Sequence, residues 1–537
     1  MQAHTIRQVR GPSFAASWKQ GRAMRRDFVA TAVLTALGAV ISPPALAQSA
    51  PHDIPRLSLE AGEPLSKSAP PATPFGRSPS TSKDAVLDFH GFVLLPMNVA
   101  VLKRDEPADG QSSTALHSPP LIPQDQTRFE YTGVIPEPWI QLNFSYGNST
   151  VAATAVIAAR TATDAAGVFD ATKQLGITDA FVSANLSQAI GTPFMVKVGA
   201  FTGRYGAMGA YDAGRYGTPL IARTNTIGVT TTAGLDLGKK LSLALEHGIG
   251  GSLGRADIGI LPEAWNDYAN SGSAGTPSQD APWGVGTTFV NHLHAGLGYD
   301  DLARLGLHYL VAWTQDDMST PNDIRDGKIT VLGADARLTL GRGGHFYAGF
   351  AHTSLAHAAV VSGVLEILNA RGGPELISEY LGMDSHGNGS LTTYGAQYDL
   401  SLARMLYGDF FKGQSPDVRL SAFGVGVGVK SDDPTHDGVN KLKVGFEATY
   451  SMASWFAVST RFDHATSDSS DSGKAFNIFS PRLLFHTDWL SRDEFALQYS
   501  YFQYGSDVVV RTGSPKVDDP SATPDKTVVS LSGTFWW

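Results

Sequence analysis

Residues 441–452 read KLKVGFEATYSM, and their side chains separate completely when the stretch is read with the two-residue period of a β-strand. One face carries Leu442, Val444, Phe446, Ala448, Tyr450 and Met452, and the other carries Lys441, Lys443, Gly445, Glu447, Thr449 and Ser451. A strand of this kind requires apolar surroundings on one side and polar surroundings on the other.

The end of the chain, VVSLSGTFWW (residues 528–537), has the same period. Its apolar face carries Val529, Leu531, Gly533, Phe535 and Trp537. Aromatic side chains at a chain end expose a large apolar area unless something covers them. A lipid bilayer beside this strand would bury that face.

A β-sandwich is the competing interpretation, because its strands also alternate apolar and polar residues. The runs here span roughly 9 to 14 residues, and aromatic side chains gather near the ends of their apolar faces, as in transmembrane β-barrels. The sequence therefore predicts an all-β fold, a transmembrane antiparallel β-barrel of about 16–18 strands over residues 84–537. The strands are expected to begin near Val86, Trp139, Val151, Ile177, Phe194, Thr226, Leu241, Thr287, Leu305, Ile329, His345, Leu391, Val418, Leu442, Phe456, Phe476, Phe495 and Val528.

Composition narrows the function. The chain has 537 residues, no cysteine and a formal net charge of −9, so disulfides and thiolate metal sites are excluded and nucleic acid is not an expected partner. GGSLG (residues 250–254) lacks the strand-to-helix context of a hydrolase nucleophile. His292, His294 and His308 are more simply explained as lumenal side chains than as zinc ligands. We expect no cofactor and no metal.

The N-terminal region carries an export signal. Arg25 and Arg26 precede an apolar run that ends before Pro43, and small residues lead to an expected cleavage site after Ala47. Residues 1–47 are therefore predicted to be a signal peptide, and Met24 offers an alternative start. Residues 48–83 are rich in Pro and Ser and are predicted to form a periplasmic linker.

Taken together, these features resemble the outer-membrane β-barrels of Gram-negative bacteria, and in particular porins. Residues 175–206, LGITDAFVSANLSQAIGTPFMVKVGAFTGRYG, resemble a porin hairpin in which a D-A-[FY]-V strand turns into a V-x-V-G-x-F strand. The resemblance implies a location in the outer membrane, contact with its lipid, recognition of Phe535 and Trp537 by the barrel assembly machinery, and a homotrimer.

A barrel of this size encloses an aqueous lumen, so passive diffusion of small hydrophilic solutes is the expected function. The stretch TGRYGAMGAYDAGRYGTPLIAR (residues 202–223) is predicted to be a loop that lines a constriction or lies on the surface. The channel-lining candidates are Arg204, Asp212, Arg215, Tyr216 and Arg223 from this stretch, and Arg304, Lys441, Lys443, Glu447, Arg461 and Asp463 from strands.

A second insertion, residues 356–389, has apolar residues at helical spacing on both sides of Gly372 and Gly373, which predicts two short amphipathic helices. Folding into the lumen, capping the mouth and contacting another protein all remain open for this segment.

Two other functions fit the same fold. His352 and Ser354 share the predicted lipid-facing side of one strand, which resembles the Ser-His pair of outer-membrane phospholipases, with Asn388 as the third residue. A non-conducting structural or adhesive barrel is the other alternative. We expect a channel and not an enzyme.

Overall fold

A computed structural model gives the fold of the chain. It describes residues 85–100, 129, 132–133, 139–160, 175–207, 219–238, 240–252, 288–300, 302–314, 327–358, 361, 365–368, 370–371, 376–382, 385, 387–407, 416–453, 455–485, 494–508, 510–512, 518–519 and 527–536. The predicted signal peptide and linker lie outside the described residues, as does Trp537.

The described chain is built around one antiparallel sheet of 20 strands, of which two are short pieces of the second insertion. The other eighteen strands are β1 (Val86–Ala100), β2 (Trp139–Gly147), β3 (Val151–Arg160), β4 (Leu175–Asn185), β5 (Phe194–Ala207), β6 (Pro219–Asp236), β7 (Leu241–Ser252), β8 (Thr288–Tyr299), β9 (Ala303–Thr314), β10 (Lys328–Leu340), β11 (Gly344–Ala356), β12 (Gly389–Ser401), β13 (Asp417–Ser431), β14 (Asn440–Ala453), β15 (Phe456–Thr466), β16 (Ala475–Phe485), β17 (Glu494–Tyr504) and β18 (Thr527–Trp536).

Each of these strands pairs with its neighbours along the chain, and β1 joins the two ends of the series. Residues Val86–Leu94 of β1 pair with β2, and residues Phe92–Ala100 pair with β18. Because Phe92, Val93 and Leu94 have partners on both sides, the sheet closes into a barrel. The predicted fold class is confirmed, and the strand number is at the upper end of the expected range.

The two ends of the barrel differ in the length of their connections. Short turns follow most even-numbered strands, such as residues 148–150 after β2 and 341–343 after β10, and the longest connection at that end is 402–416 after β12. Residues 253–287 and 357–388 connect strands at the opposite end. Bacterial barrels have short periplasmic turns and longer extracellular loops. By this rule, we expect the first and last strands of the barrel to begin and end at the periplasmic side.

Side-chain exposure divides every well-described strand into two faces. In β14, Val444 and Phe446 are 39% and 46% exposed on the outside, whereas Lys441 and Lys443 are 2% exposed on the inside. Apolar residues of the other strands also face outward, among them Leu87, Phe89, Ile177, Leu307, Leu332, Phe350, Phe462 and Phe479. This is the inverse of a soluble β-sandwich, in which the apolar faces meet in the core.

Small elements complete the described fold. They are the helices α1 (Ser187–Ile190) and α2 (Leu402–Tyr407), a 3₁₀ turn (Ser472–Lys474), a π-helical turn (Ile377–Leu381), the short strands Leu365–Ile367 and Ala370–Arg371, and a separate sheet of Thr132–Gly133, Val510–Thr512 and Asp518–Asp519. No helix among the described residues is long and apolar enough to cross a membrane.

The two faces of β6 provide a test of membrane insertion. Val229 faces outward and is 38% exposed, whereas Thr232 faces inward opposite Glu246. A lysine facing the middle of a bilayer costs about 2–4 kcal/mol, while a lysine beside the Glu246 carboxylate is accommodated. We expect Val229→Lys to lower the free energy of unfolding in lipid vesicles by that amount and Thr232→Lys to change it by less than about 1 kcal/mol. Urea titration of both proteins measures this, and equal losses would contradict the assignment of the faces.

The terminal strand provides a second prediction. Phe535 lies on the outer face of β18, where its ring packs edge-on against Phe495 of β17 with centroids 4.9 Å apart. We predict that Phe535 also belongs to the assembly signal, so Phe535→Ala should lower the amount of protein in the outer membrane several-fold. Ser532→Ala, three residues earlier, should leave it unchanged. Immunoblots of isolated outer membranes distinguish the two, and normal abundance of the Phe535 variant would show that this residue is not read during assembly.

Candidate channel lining and constriction

Two segments from the extracellular end fold inward, and the first is the end of the β5–β6 hairpin. Tyr205 of β5 extends past β6 and β7 to contact β8 and β9. Its ring centroid lies 5.1 Å from that of His292 on β8 and 5.9 Å from that of His308 on β9. Ile221 of β6 also leaves its own wall, because a Cβ at Gly333 of β10 would lie 2.6 Å from its Cδ1 atom. The hairpin therefore bends across the inner surface of strands β7–β10.

The second inward segment is the insertion between β11 and β12. Its apolar side chains pack in one buried cluster with inward-facing residues of β9, β10, β11, β12 and β13. The insertion contributes Ala358, Val361, Leu365, Ile367, Leu368, Leu376, Ile377, Tyr380 and Leu381, and the wall contributes Leu310, Ala312, Ile329, Val331, Ala351, Leu355, Leu391, Val425, Val427 and Val429. Of the three placements left open by the sequence, the structure shows folding against the inner wall.

The two inward segments are joined by backbone pairing. Leu365, Glu366 and Ile367 pair with Thr224, Arg223 and Ala222 on β6, so the insertion extends the bent hairpin across the barrel. Further bonds fix the insertion at its base, since Ser431 Oγ donates to Leu381 O at 2.6 Å and His357 N donates to Asn388 Oδ1 at 3.0 Å. Together these segments form a constriction attached to two walls.

The internal structure of the insertion differs from the sequence prediction. Its first predicted helix is wrong, because Leu365–Ile367 and Ala370–Arg371 form a small antiparallel hairpin. The edge of β6 beyond Thr226 has no partner in β7, whose pairing with β6 ends at Ile227 and Gly251, and this edge offers hydrogen bonds to the insertion. The second predicted helix is present only as the π-helical turn Ile377–Leu381.

A network of guanidinium and carboxylate groups lies on the adjacent wall, on β14, β15 and β16. Arg461 Nε and Nη2 donate to Asp463 Oδ2 and Oδ1, each at 2.6 Å. Arg482 Nη2 lies 2.5 Å from Glu447 Oε2, and the Arg461 guanidinium stacks 5.1 Å from the centre of the Phe423 ring. Pairs of opposite charge hold these side chains flat against the wall, so the charges do not fill the lumen.

A second charged group occupies β7–β10 beneath the bent hairpin. His292 Nε2 lies 3.1 Å from Glu246 Oε1, and His308 Nε2 lies 3.0 Å from Asp335 Oδ1. The rings of His294 and His308 stack with centroids 4.5 Å apart. The imidazoles of His292 and His308 are thus each oriented by a carboxylate of the adjacent strand. Among the described residues, no group of three or more His, Asp or Glu side chains is arranged to hold a metal ion.

The strand residues proposed from the sequence lie on the inner wall. Lys441, Lys443, Arg461 and Asp463 are buried there, and Glu447 and Arg304 are partly exposed. Lys441 also contacts the constriction, because its Nζ atom lies 5.5 Å from the centre of the Tyr380 ring. Their role as channel-lining residues remains a prediction.

The residues proposed from the stretch 202–223 are less completely described. Arg204 and Arg223 are not in a loop but face each other in the β5–β6 register, and Arg223 is partly exposed. The predicted start of β6 at Thr226 was too late, since the strand begins at Pro219. Asp212, Arg215 and Tyr216 lie outside the described residues.

Several inner-wall residues were not singled out as channel lining by sequence reasoning. Arg482, Glu246, Asp335 and Asp399 each occupy an inward position of a strand, and Asp399 accepts from Gln397 Nε2 at 3.0 and 2.9 Å and from Ser421 Oγ. Strict alternation within β7, β10, β12 and β16 is the signal that would have identified them.

The outward pair His352 and Ser354 was the basis of the enzymatic alternative. Both side chains are exposed on the outer face, as predicted. However, the imidazole Nδ1 of His352 lies 3.4 Å from Thr392 Oγ1, and Asn388 Nδ2 donates to Asp432 Oδ2 at 3.1 Å. These contacts do not assemble a nucleophile with a base and an orienting residue.

The insertion provides a third prediction. Leu381 is fully buried in the insertion, whereas Leu406 is 64% exposed at the periplasmic end. Leu381→Ser should release the insertion, since burying a hydroxyl and leaving a cavity costs about 2–5 kcal/mol. We expect trypsin to cut this variant after Arg371 at least tenfold faster than it cuts the wild-type protein or the Leu406→Ser control. Unchanged cleavage with an intact heat-modifiable barrel would contradict the packing described above.

Comparisons with known proteins yield structural similarity without sequence similarity. No family model and no curated protein matches the chain. Solved structures that resemble it include OccAB1 of Acinetobacter baumannii (8% identity, TM-score 0.40, covering 85% of this chain and 97% of that one) and a BenF-like porin from Pseudomonas fluorescens (10%, 0.39, 85% and 99%). The outer membrane channel DcaP of Acinetobacter baumannii is a further example (9%, 0.38, 85% and 99%).

The barrel's own geometry is sufficient for its classification. A closed ring of eighteen amphipathic strands with apolar side chains outside, polar side chains inside and unequal connections at its two ends is suited to a bilayer. This chain is an antiparallel β-barrel of eighteen strands whose outer face is suited to lipid.

Proposed function

We propose that the protein is a channel for the passive diffusion of small hydrophilic solutes. The observation that carries this proposal is the constriction formed by the bent β5–β6 hairpin and the insertion, which pack on one side of the barrel beside a wall that carries charged pairs. A ring of eighteen strands is wide enough for an aqueous lumen, and constrictions inside such barrels set the size and charge of what passes.

The apolar cluster explains why the constriction narrows the lumen on one side only. The inward residues of β9–β13 at this level are apolar, and the insertion covers them. On β14–β16 the inward residues include the Arg461–Asp463 and Arg482–Glu447 pairs, and the contact described between the insertion and these strands is that of Tyr380 with Lys441. A hydrophilic solute would pass between the insertion and this charged wall.

The proposed channel is expected to discriminate weakly between ions, because its charged wall carries both signs. Arg461, Arg482, Lys441 and Lys443 face Asp463, Glu447 and Asp399 within the same region of the barrel. Solutes that carry both charge and hydroxyl groups would find donors and acceptors along this wall. Assembly as a homotrimer is part of the proposal and rests on the porin resemblance.

Planar-bilayer recording tests the channel. The purified protein should give stable conductance steps, and replacement of residues 359–386 by a short Gly-Ser linker should raise the conductance at least twofold because it removes half of the constriction. A protein that inserts into the bilayer in its heat-modifiable form but shows no steps would instead be the non-conducting structural barrel.

The Arg482–Glu447 pair provides a test of the charged wall. Arg482→Gln removes a positive charge and shortens the side chain, whereas Glu447→Gln removes a negative charge at constant side-chain length. In a tenfold gradient of KCl, the reversal potential should shift toward cation selectivity for the first variant and toward anion selectivity for the second. Shifts of the same sign, or none in either variant, would place this wall outside the conduction path.

A further inference from the structure

Part of the outer face differs from the rest of the barrel surface. Near the extracellular ends of β10–β13, the outward positions carry Lys328, Thr330, His352, Ser354, Ser390, Thr392 and Lys430. We call these seven residues the outer rim patch. The alternating inward neighbours, such as Ile329, Leu355 and Val429, are buried against the insertion or the wall, so the outward direction of the patch is unambiguous.

The strand register makes these residues contiguous. Thr330 pairs with Ser354, Ser354 with Ser390, and Ser390 with Lys430, which forms one row across four strands. His352 and Thr392 are opposite each other in the next outward row, where the imidazole Nδ1 lies 3.4 Å from Thr392 Oγ1. The patch is therefore a continuous surface of hydroxyl, imidazole and ammonium groups.

The position of the patch relative to the strand ends sets its depth. His352 is the member farthest from the rim, and it precedes the end of β11 at Ala356 by four residues. At about 3.3 Å per residue and a tilt near 45°, this corresponds to about 10 Å. Below it, Leu332, Phe350 and Tyr394 restore an apolar outer face that is 46–63% exposed. The patch therefore lies at the level of the lipid headgroups of the outer leaflet.

The charge of the patch is positive. The described outward positions of β10–β13 include no carboxylate, because Asp335, Asp399 and Asp417 all face inward. Asp432 follows the end of β13, but it accepts from Ser385 Oγ at 2.5 Å and from Asn388 Nδ2 at 3.1 Å. Neither Lys328 nor Lys430 forms an ion pair with any described residue. Two ammonium groups thus face the outer leaflet without a protein counter-charge among these residues.

We propose that the outer rim patch binds the phosphorylated headgroup of an anionic glycolipid in the outer leaflet. Lys328 and Lys430 contact phosphate groups, and the hydroxyls of Ser354, Ser390 and Thr392 bind sugar hydroxyls. The acyl chains lie on Leu332, Phe350 and Tyr394. The outward side of β13 is flat beside Tyr394, because Gly426 lies directly under its ring.

A second copy of the chain is a poorer occupant of this surface. A two-fold contact through the patch would bring lysines and histidines from both copies into one dry interface, and like charges buried without partners are costly. A phosphorylated lipid supplies the missing negative charge and leaves the hydroxyl groups hydrogen-bonded. The proposal depends on the outer-membrane location and is independent of conduction.

The test uses the full-length protein in detergent micelles, with native mass spectrometry to titrate binding of a bisphosphorylated lipid A. The double variant Lys328→Gln/Lys430→Gln should raise the dissociation constant at least tenfold. Lys240→Gln is the matched control, because Lys240 is an exposed lysine at a periplasmic turn, paired with Asp300 at 3.7 Å. Heat-modifiable gel mobility verifies that each variant is folded.

A second test varies the lipid and keeps the wild-type protein. Dephosphorylated lipid A should bind the wild-type protein at least tenfold more weakly, and inorganic phosphate at millimolar concentration should not displace the intact lipid, since the acyl chains contribute to binding. Equal binding by the double variant and the wild type, or an equal loss in Lys240→Gln, would overturn the proposal. Equal binding of intact and dephosphorylated lipid A by the wild-type protein would also overturn it. The same holds if the wild-type protein forms a dimer without lipid and the double variant does not.

Discussion

The structure depends on the requirement that every backbone amide and carbonyl within hydrocarbon has a hydrogen-bond partner in the protein. A sheet meets this requirement only if it has no edge, and β1 removes the edge by pairing with β2 through its first half and with β18 through its second half. Because β1 pairs with β2 and with β18 through different residues, the ring closes with a shift in register along β1. All other features, including the two faces and the lumen, follow from that closure.

Closure of the ring also explains where strand edges remain available for backbone hydrogen bonds. β6 extends beyond its pairing with β7, and its edge at Ala222–Thr224 pairs with residues 365–367 of the insertion. This edge is inside the barrel, where the insertion satisfies it. The hairpin that contains this extension carries Tyr205 and Ile221 over the inner surface of β7–β10, so both inward segments of the constriction meet at β6.

The insertion determines the polarity of the inward side chains on the wall that it covers. Where it packs, on β9–β13, the inward side chains of the cluster are apolar and buried. On β14–β16, by contrast, the inward face carries two ion pairs, Arg461–Asp463 and Arg482–Glu447. The outer rim patch lies on β10–β13, which also carry the covered wall, so the outward side chains of these strands are polar where their inward neighbours are apolar and covered.

The sequence by itself determined the barrel, its strand starts and its two faces, because a two-residue period over ten residues admits only one inside and one outside. All eighteen predicted starts match observed strands, and only that of β6, placed at Thr226 instead of Pro219, is more than two residues away. The inward direction of Lys441, Lys443 and Glu447 followed from the same rule. Tertiary structure alone decided the path of the insertion, the bend of the β5–β6 hairpin and the partners of Arg482, Glu246 and Asp335. These depend on which distant strands lie opposite one another once the ring has closed, and a local period contains no information about that distance.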